Sequence, residues 1–151
     1  MILKVIIIGI LIIAVLLGYR FYIEQTMYKT ILTGDPVLDG INAVRLHNDL
    51  PLLRVNLKLN ESAQRKACDM NENNYFAHVS PLGVDVSQLV HVVDYKFKYV
   101  GEILAKVCKD SRCVTLWLNS PTHKEVITNE VYREFGVGRC GVYTVVHFGE
   151  K

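Results

Sequence analysis

Hydrophobic residues are distributed unevenly along this chain of 151 residues, and the densest run lies at the beginning. Residues 5–19 contain no charged side chain and are rich in Ile, Leu and Val. As an α-helix, residues 2–18 would measure roughly 26 Å, slightly less than a hydrocarbon core of about 30 Å. Lys4 can extend back toward the lipid headgroups, and an aromatic belt follows beside Arg20. The pattern predicts a transmembrane anchor over residues 1–22.

Two alternatives remain for this run, a retained anchor and a cleaved signal peptide. The segment that ends it, Leu16-Leu17-Gly18-Tyr19-Arg20, has no small-x-small cleavage pattern and no cysteine for lipid attachment. We therefore favour a retained single-pass anchor, with secretion after cleavage as the alternative. Lys4 and the terminal amine nearly balance Arg20 and Lys29, so charge does not fix the orientation of the helix.

Helical spacing continues beyond the anchor and then gives way to the pattern of a soluble domain. Apolar residues at helical spacing from Tyr22 to Ile31 predict that the helix extends until Thr33-Gly34. Residues 23–35 are the linker in this interpretation. Residues 36–151 have the composition of an ordinary soluble domain and are numerous enough to bury a core.

The domain alternates helical and strand-like segments. Asp35-Pro36 begins a helix, since aspartate is a good N-cap and proline is favoured at the first helical position. Asn60 has the same capping role for a second helix at roughly residues 61–74. The later segments are a short helix within residues 84–93, a strand over 95–100, a helix over 111–119, a helix that starts after Ser120 and a hairpin over 135–149.

Composition narrows the function classes. The formal net charge is +2, so no strong basic field favours nucleic acid, and no nucleic-acid-binding motif is present. The four cysteines, Cys68, Cys108, Cys113 and Cys140, lack zinc-ribbon spacing. Cys108 and Cys113 bracket a short polar turn and can close a small disulfide loop in an oxidising compartment. Four cysteines allow three full pairings, and four free thiols are the alternative.

Three titratable residues carry candidate chemistry. His78 follows an aromatic pair and stands just before Ser80-Pro81, where a helical pattern must stop. Glu102 ends a strand-like run, and a carboxylate beside apolar residues needs solvent or a cation. His123 lies in the first turn of the helix after Ser120, where the helix dipole favours the neutral, metal-competent imidazole. Each also has an ordinary structural interpretation, as a packed histidine or a solvated glutamate.

Short motifs spread over residues 37–149 occur in an order typical of one protein family. They are Ile41-Asn42-Ala43-Val44-Arg45, Leu50-Pro51-Leu52, Asp69-Met70, Tyr75-Phe76-Ala77-His78-Val79-Ser80-Pro81-Leu82-Gly83, Tyr99-Val100-Gly101-Glu102, Trp117-Leu118-Asn119-Ser120-Pro121-Thr122-His123, Phe135-Gly136-Val137-Gly138 and Phe148-Gly149. In this order they resemble the CAP superfamily, which comprises cysteine-rich secretory proteins, antigen-five allergens, plant pathogenesis-related proteins and compact bacterial SCP-like proteins. Any one motif is weak, whereas the ordered set is specific.

The resemblance implies an α+β fold, a three-layer α-β-α sandwich with a central, mostly antiparallel sheet and a cleft on one side. In the family, two histidines and acidic residues line the cleft, and His78, Glu102 and His123 match these positions. Two imidazoles and a carboxylate suit mononuclear zinc, or another divalent metal, with an open fourth position. The sequence departs from the family at Asn119-Ser120, where larger members have a second glutamate, and at Ile103, which replaces an asparagine.

The resemblance implies ligand or metal binding more firmly than it implies a reaction, and no serine or cysteine nucleophile with a paired base is evident. We therefore predict a membrane-anchored, extracytoplasmic binding or interaction module. In this interpretation the protein is a binding protein and not an enzyme. Besides the membrane, contacted through residues 1–22, the expected partners are a protein, a lipid or an envelope ligand. Two alternatives are a metal-assisted hydrolase of peptide or cell-envelope material and a structural subunit of a membrane-associated assembly.

Overall fold

The structure is a computed structural model, which describes residues 2–151 except for the side chains of residues 2–8, 24, 25 and 27–31. The chain divides into two compact units between Leu32 and Thr33. The first unit contains helix α1 (Ile2–Ile31), which ends close to the predicted stop at Thr33-Gly34. The predicted placement of Lys4 among lipid headgroups lies outside the described side chains. Within the part of the chain that is described, no helix is both long and apolar enough to cross a bilayer.

The second unit, Thr33–Lys151, is a mixed α/β domain. In chain order its elements are α2 (Pro36–His47), β1 (Arg54–Val55), α3 (Leu57–Glu72), α4 (Val86–Val92), β2 (Tyr99–Lys106), α5 (Arg112–Leu118), α6 (Pro121–Thr128), β3 (Glu134–Cys140) and β4 (Tyr143–Glu150). The predicted helices that correspond to α2, α4, α5 and α6 are confirmed, and the predicted hairpin is confirmed as β3 and β4.

The strands of this unit form one sheet in the order β1-β3-β4-β2. β1 is parallel to β3, and β4 is antiparallel to both β3 and β2, so the sheet is mostly antiparallel, as predicted. Side chains of β4 alternate between the two faces of the sheet. Val146 and Phe148 pack with residues of α2, α5 and α6, whereas Tyr143 and Val145 pack with α3. Helices therefore cover both faces, and β4 is buried on both sides.

Helix α3 begins earlier than predicted, at Leu57. Its N-cap is Asn56, whose Oδ1 accepts a hydrogen bond of 2.9 Å from Lys58 N, so the prediction of Asn60 as the cap is wrong. Asn60 lies inside the helix, where its Oδ1 accepts a hydrogen bond of 2.9 Å from the backbone N–H of Val137 in β3. Both asparagines suit a cap chemically, and the end of β1 directly before Asn56 decides which one starts the helix.

Strand β2 is shifted along the chain from its predicted position at residues 95–100. Tyr95 is buried in a cluster with Val90 of α4, so its place in the apolar pattern reflects side-chain packing and not strand pairing. The strand runs over Tyr99–Lys106. This register places Glu102 in the middle of the strand, and the prediction that it ends a strand is wrong.

Two disulfides link elements of the domain. Cys108 pairs with Cys113 across the connection between β2 and α5, which confirms the predicted small loop. Cys68 in α3 pairs with Cys140 at the end of β3, so the alternative of four free thiols is wrong. Both bonds fit a protein that folds in an oxidising compartment.

Two glycines let α3 lie directly on β3. A Cβ atom at Gly136 would overlap the helix backbone at Asn60, and a Cβ atom at Gly138 would overlap it at Gln64. This close approach explains the glycines of the Phe135–Gly138 motif as packing residues. It also brings α3 close enough for its side chains to reach β4, the strand beside β3 in the sheet.

We expect Gly138→Ala to lower the free energy of unfolding by about 2 kcal/mol, because the added methyl group forces the helix away from the sheet. Urea unfolding followed by the fluorescence of Trp117, the single tryptophan, measures this change. Gly18→Ala is the control, since a Cβ atom there meets nothing within 4 Å. An unchanged unfolding midpoint in Gly138→Ala would contradict direct packing of the two backbones.

Candidate functional site

Glu102 is the centre of a chain of hydrogen bonds that crosses β2 and β4. It lies opposite His147 in the antiparallel pairing of the two strands. Its Oε2 is 2.9 Å from Nε2 of His147, and its Oε1 is 2.7 Å from Nδ1 of His78. The side chain of Glu102 is 3% exposed, so the two histidines replace the solvent that a buried carboxylate would otherwise need.

The two histidines determine the charge of Glu102. Burial alone would raise the pKa of Glu102, but the hydrogen bonds from His147 and His78 outweigh burial and hold the pKa below its ordinary value. Glu102 is therefore ionised at neutral pH. Because its pKa is lowered in the folded state, its contribution to stability is lost as the pH falls through that lowered pKa.

The directions of the hydrogen bonds follow from the ionised carboxylate. A carboxylate only accepts hydrogen bonds, so Nδ1 of His78 and Nε2 of His147 both carry hydrogens. The other ring nitrogen of His147 lies 2.7 Å from Oγ of Ser62 in α3. In a neutral imidazole that nitrogen is an acceptor, and the serine hydroxyl is its donor. The chain of hydrogen bonds thus runs from Ser62 through His147 and Glu102 to His78.

His78 is the exposed end of this chain of hydrogen bonds. Its side chain is 58% exposed, whereas the side chain of His147 is fully buried. With its hydrogen on Nδ1, a neutral His78 presents the lone pair of Nε2. In the described residues, Nδ1 is the ring nitrogen of His78 that has a protein partner, so Nε2 is available to a ligand.

A buried lysine fixes the loop that carries His78. Lys66 in α3 has no exposed surface and donates hydrogen bonds to the carbonyl oxygen of His78, at 2.9 Å, and to the hydroxyl of Tyr75, at 3.2 Å. The Tyr75 hydroxyl in turn donates to the carboxylate of Asp69. Burial lowers the pKa of Lys66, while the nearby charges of Glu102 and Asp69 oppose that effect. These contacts attach the loop to α3 and hold His78 against Glu102.

The same loop presents apolar side chains to solvent. Phe76 and Val79 are about half exposed, and Leu82 is almost fully exposed. The turn that carries Leu82 is fixed by Oγ of Ser80, which accepts hydrogen bonds from two backbone N–H groups of the turn. The loop that carries His78 therefore also exposes apolar surface to solvent.

His123 lies in the first turn of α6, as predicted, and its side chain is partly buried. Burial lowers the pKa of His123, and the charge of His78 lowers it further. The two histidines are therefore within electrostatic range of each other. The lowered pKa favours the neutral ring of His123, which is the form that binds metals.

The three predicted ligands do not form a three-ligand metal site in this conformation. Both oxygens of Glu102 are bonded to histidines. Among the residues that the structure describes, no three His, Cys, Asp or Glu side chains are grouped so that they could hold a metal ion. The structure brings His78 and Glu102 together, with Glu102 as the carboxylate that orients His78. The set of His78, Glu102 and His123 as metal ligands remains a prediction.

Three residues of the site, His147, Ser62 and Lys66, were not predicted from the sequence. His147 had one available signal, since it is a polar residue in a strand pattern that is otherwise apolar, and a buried polar group needs a partner. Ser62 and Lys66 carry no comparable signal, because serine and lysine in a helix are ordinary surface residues. Their roles depend on the packing of α3 against the sheet.

The mixed α/β domain, with helices on both faces of a mostly antiparallel sheet, matches the structures of SCP-like domains. The model of the cysteine-rich secretory protein family (CAP) matches residues 38–146, and the chain belongs to this family. The predicted family membership is confirmed.

Several bacterial proteins are similar to this chain. The uncharacterized protein YkwD of Bacillus subtilis (strain 168) is 33% identical over 103 residues, which are 68% of this chain and 40% of YkwD. The structure of an extracellular protein containing a SCP domain from Bacillus anthracis str. Ames has 29% identity and a TM-score of 0.73, over 76% of this chain and 39% of that one. The structure of an outer surface protein from Borrelia burgdorferi has 30% identity and a TM-score of 0.71, over 76% of this chain and 89% of that one. This chain spans less than half the length of the two Bacillus proteins.

Proposed function

We propose that the chain acts outside the cytoplasm as a binding module whose ligand contacts the exposed edge of His78. The observation that carries this proposal is the buried Glu102 carboxylate, which accepts one hydrogen bond from His78 and one from His147. Such an arrangement orients His78 before any ligand arrives, which is the property expected of a binding site. Lys66 adds to this orientation by holding the backbone of the loop.

Disulfides and relatives support the location outside the cytoplasm. Two disulfides favour an oxidising compartment, and the relatives named above include an extracellular protein and an outer surface protein. Membrane attachment through residues 1–22 is part of the proposal. Its support is the exposure of the large apolar side chains between Ile10 and Leu17 of α1, each of which is more than half exposed. Apolar surface of this kind is unfavourable in water and favourable in lipid.

Hydrolysis by a serine nucleophile is disfavoured by the burial of Ser62. Ser62, His147 and Glu102 supply the groups of a nucleophile, base and carboxylate arrangement. The hydroxyl of Ser62 has no exposed surface, so it cannot attack a substrate. The exposed end of the chain of hydrogen bonds is the imidazole of His78, which is suited to metal ligation or hydrogen bonding.

A divalent metal ion is the ligand class that best suits the donors of this site. Imidazole nitrogens are good ligands for zinc, and a metal-binding histidine commonly donates its other N–H to a carboxylate, as His78 does to Glu102. His78 and His123 would hold the ion in this proposal, and the remaining positions would be open to a partner. A bound zinc ion would supply a Lewis-acidic position for anionic groups of a protein or envelope ligand.

We expect isothermal titration of the full chain with zinc chloride to show one zinc ion per chain. His78→Ala and His123→Ala should each weaken zinc binding at least about tenfold, because each removes one of two donors. Glu102→Gln should weaken it about 10- to 100-fold, because the orienting carboxylate is lost. His47→Ala, at an exposed position of α2, is the control and should not change the affinity.

Other outcomes would contradict parts of the proposal. Equal zinc affinity in the wild type and in the double variant of His78 and His123 would place the metal elsewhere. Absence of zinc binding in the wild type would reject the metal as ligand. Binding of peptide and envelope fragments, compared in wild type and His78→Ala, would then decide whether the binding module itself stands. Cleavage of those fragments would favour the hydrolase alternative.

A further inference from the structure

We propose that His147 and Ser62 are positioning residues that fix the tautomer and the orientation of His78 through Glu102. The inference rests on the proposed binding role of His78, because a fixed tautomer matters only where Nε2 meets a ligand. Neither His147 nor Ser62 contacts that ligand, since both side chains are fully buried.

His147 is an unfavourable residue for its position unless its polar atoms are used. Its neighbours in β4, Val145, Val146 and Phe148, are all fully buried apolar side chains. An apolar residue would fill the same space without the cost of burying an imidazole. Both ring nitrogens of His147 instead have specific side-chain partners, which hold the ring in one orientation.

Ser62 complements the tautomer of His147 that Glu102 requires, because its hydroxyl can donate to the ring nitrogen that carries no hydrogen. Its Oγ lies 2.7 Å from Nδ1 of His147 and 3.1 Å from the carbonyl oxygen of Leu59, so its one hydrogen has two competing acceptors, of which Nδ1 is the nearer. When the hydroxyl donates to Nδ1, the hydrogen of a neutral His147 is on Nε2 and points at Glu102. Each oxygen of Glu102 then accepts from one histidine, and the carboxylate is held at both ends.

Loss of His147 would release the carboxylate at one end. Oε2 of Glu102 would be buried without a donor, which is costly, so the side chain would turn toward other donors. Nδ1 of His78 would then lose its fixed acceptor, and both tautomers of His78 would be populated. In the second tautomer Nε2 carries the hydrogen and has no lone pair for a metal ion. His147 thus controls the fraction of His78 that is competent to bind.

Long-range proton–nitrogen NMR spectra of the imidazoles, recorded on the full chain without zinc and at a pH where His78 is neutral, test this inference. In the wild type, Nε2 of His78 should have the shift of a nitrogen without hydrogen, and Nδ1 that of a nitrogen with hydrogen. In His147→Leu both shifts should move toward the average of the two tautomers. His147→Gln should restore the wild-type shifts, because its amide N–H can donate to Glu102. Zinc affinity should fall about tenfold in His147→Leu and recover in His147→Gln.

Two further variants keep the test decisive. Ser62→Ala removes the donor to His147 and should move the His78 shifts toward the tautomer average, as His147→Leu does. This variant replaces His147→Leu in the test if His147→Leu does not fold. Thr144→Val is the matched control, because it removes another buried polar group of β4, one that donates to the carbonyl oxygen of Cys108, and it should leave His78 unchanged. Unaveraged His78 shifts in both His147→Leu and Ser62→Ala would overturn the inference.

The two proposals fail separately. The tautomer of His78 is measured without zinc, so absence of zinc binding would overturn the metal as ligand and leave the positioning role intact. Averaged tautomers of His78 in the wild type would overturn the positioning role even if zinc binds. A His147→Gln variant that stays averaged would do the same, because it would show that donation to Glu102 is not what sets His78.

Discussion

Replacement of Cys68 and Cys140 by serine is expected to lower the free energy of unfolding by about 4 kcal/mol. The bond joins α3 to the end of β3 across a sequence separation of 72 residues. A crosslink restricts the unfolded chain more strongly when it closes a longer loop, which is why this bond should matter more than its neighbour. Cys108–Cys113 spans 5 residues, and its removal should cost about 2 kcal/mol.

Urea unfolding followed by the fluorescence of Trp117 measures both effects, because this tryptophan is buried and is the single one in the chain. The variant with serine at Cys108 and Cys113 is the matched control for the loss of two thiols and one bond. Equal losses in the two variants would contradict the dependence on loop length. Mild reduction of the wild type should reproduce the larger loss only after Cys68–Cys140 has opened.

Opening the Cys68–Cys140 disulfide should also disturb the candidate site. α3 supplies both Ser62, which contacts His147, and Lys66, which holds the loop of His78. The disulfide therefore secures the helix from which two parts of the site are positioned. Stability of α3 and order of the site should be lost together in the serine variant.

The sequence predicted the fold at the level of its elements, because periodicity and capping are local properties. Asp35-Pro36 is the start of a helix in the structure, with the Asp35 side chain accepting hydrogen bonds from Val37 and Leu38. Asn60 shows the limit of local reasoning. It has the chemistry of a cap, and only the end of β1 before Asn56 determines that the helix starts earlier.

The family resemblance was enough to predict some residues of the candidate site. Residues whose contacts depend on the register between β2 and β4 could not be predicted. His78 and Glu102 were named from motifs, and the structure brings Nδ1 and Oε1 of these residues to 2.7 Å. His147 lies 45 positions from Glu102, and the two meet because of the pairing of β2 with β4. No local pattern gives that register. The pairing of Cys68 with Cys140 follows from the sequence only if Cys108–Cys113 forms and all four cysteines are oxidised, since it is then the one pairing left.

Arg45 is a fully buried arginine whose hydrogen-bond partners are backbone carbonyl oxygens. Its Nε donates to Pro51 O at 2.8 Å, and its Nη1 donates to Ile127 O at 2.9 Å and to Asn129 O at 2.8 Å. These bonds join α2 to the C-terminal end of α6, the helix whose first turn carries His123. Its Nη2 donates to Tyr132 O at 3.5 Å, so each nitrogen of the guanidinium has a carbonyl partner.

We expect Arg45→Met to lower the free energy of unfolding by about 3 to 5 kcal/mol, because the apolar stem is kept while buried carbonyl groups lose their donors. Urea unfolding reported by Trp117 measures the loss. Arg65→Met is the matched control, since Arg65 is about half exposed and pairs with Glu61 one helical turn away, a contact that contributes only about 0.3–0.5 kcal/mol. Arg45→Lys should give an intermediate loss, because one ammonium group cannot reproduce the fork of a guanidinium. Equal losses in Arg45→Met and Arg65→Met would show that the buried guanidinium does not hold α6 in place.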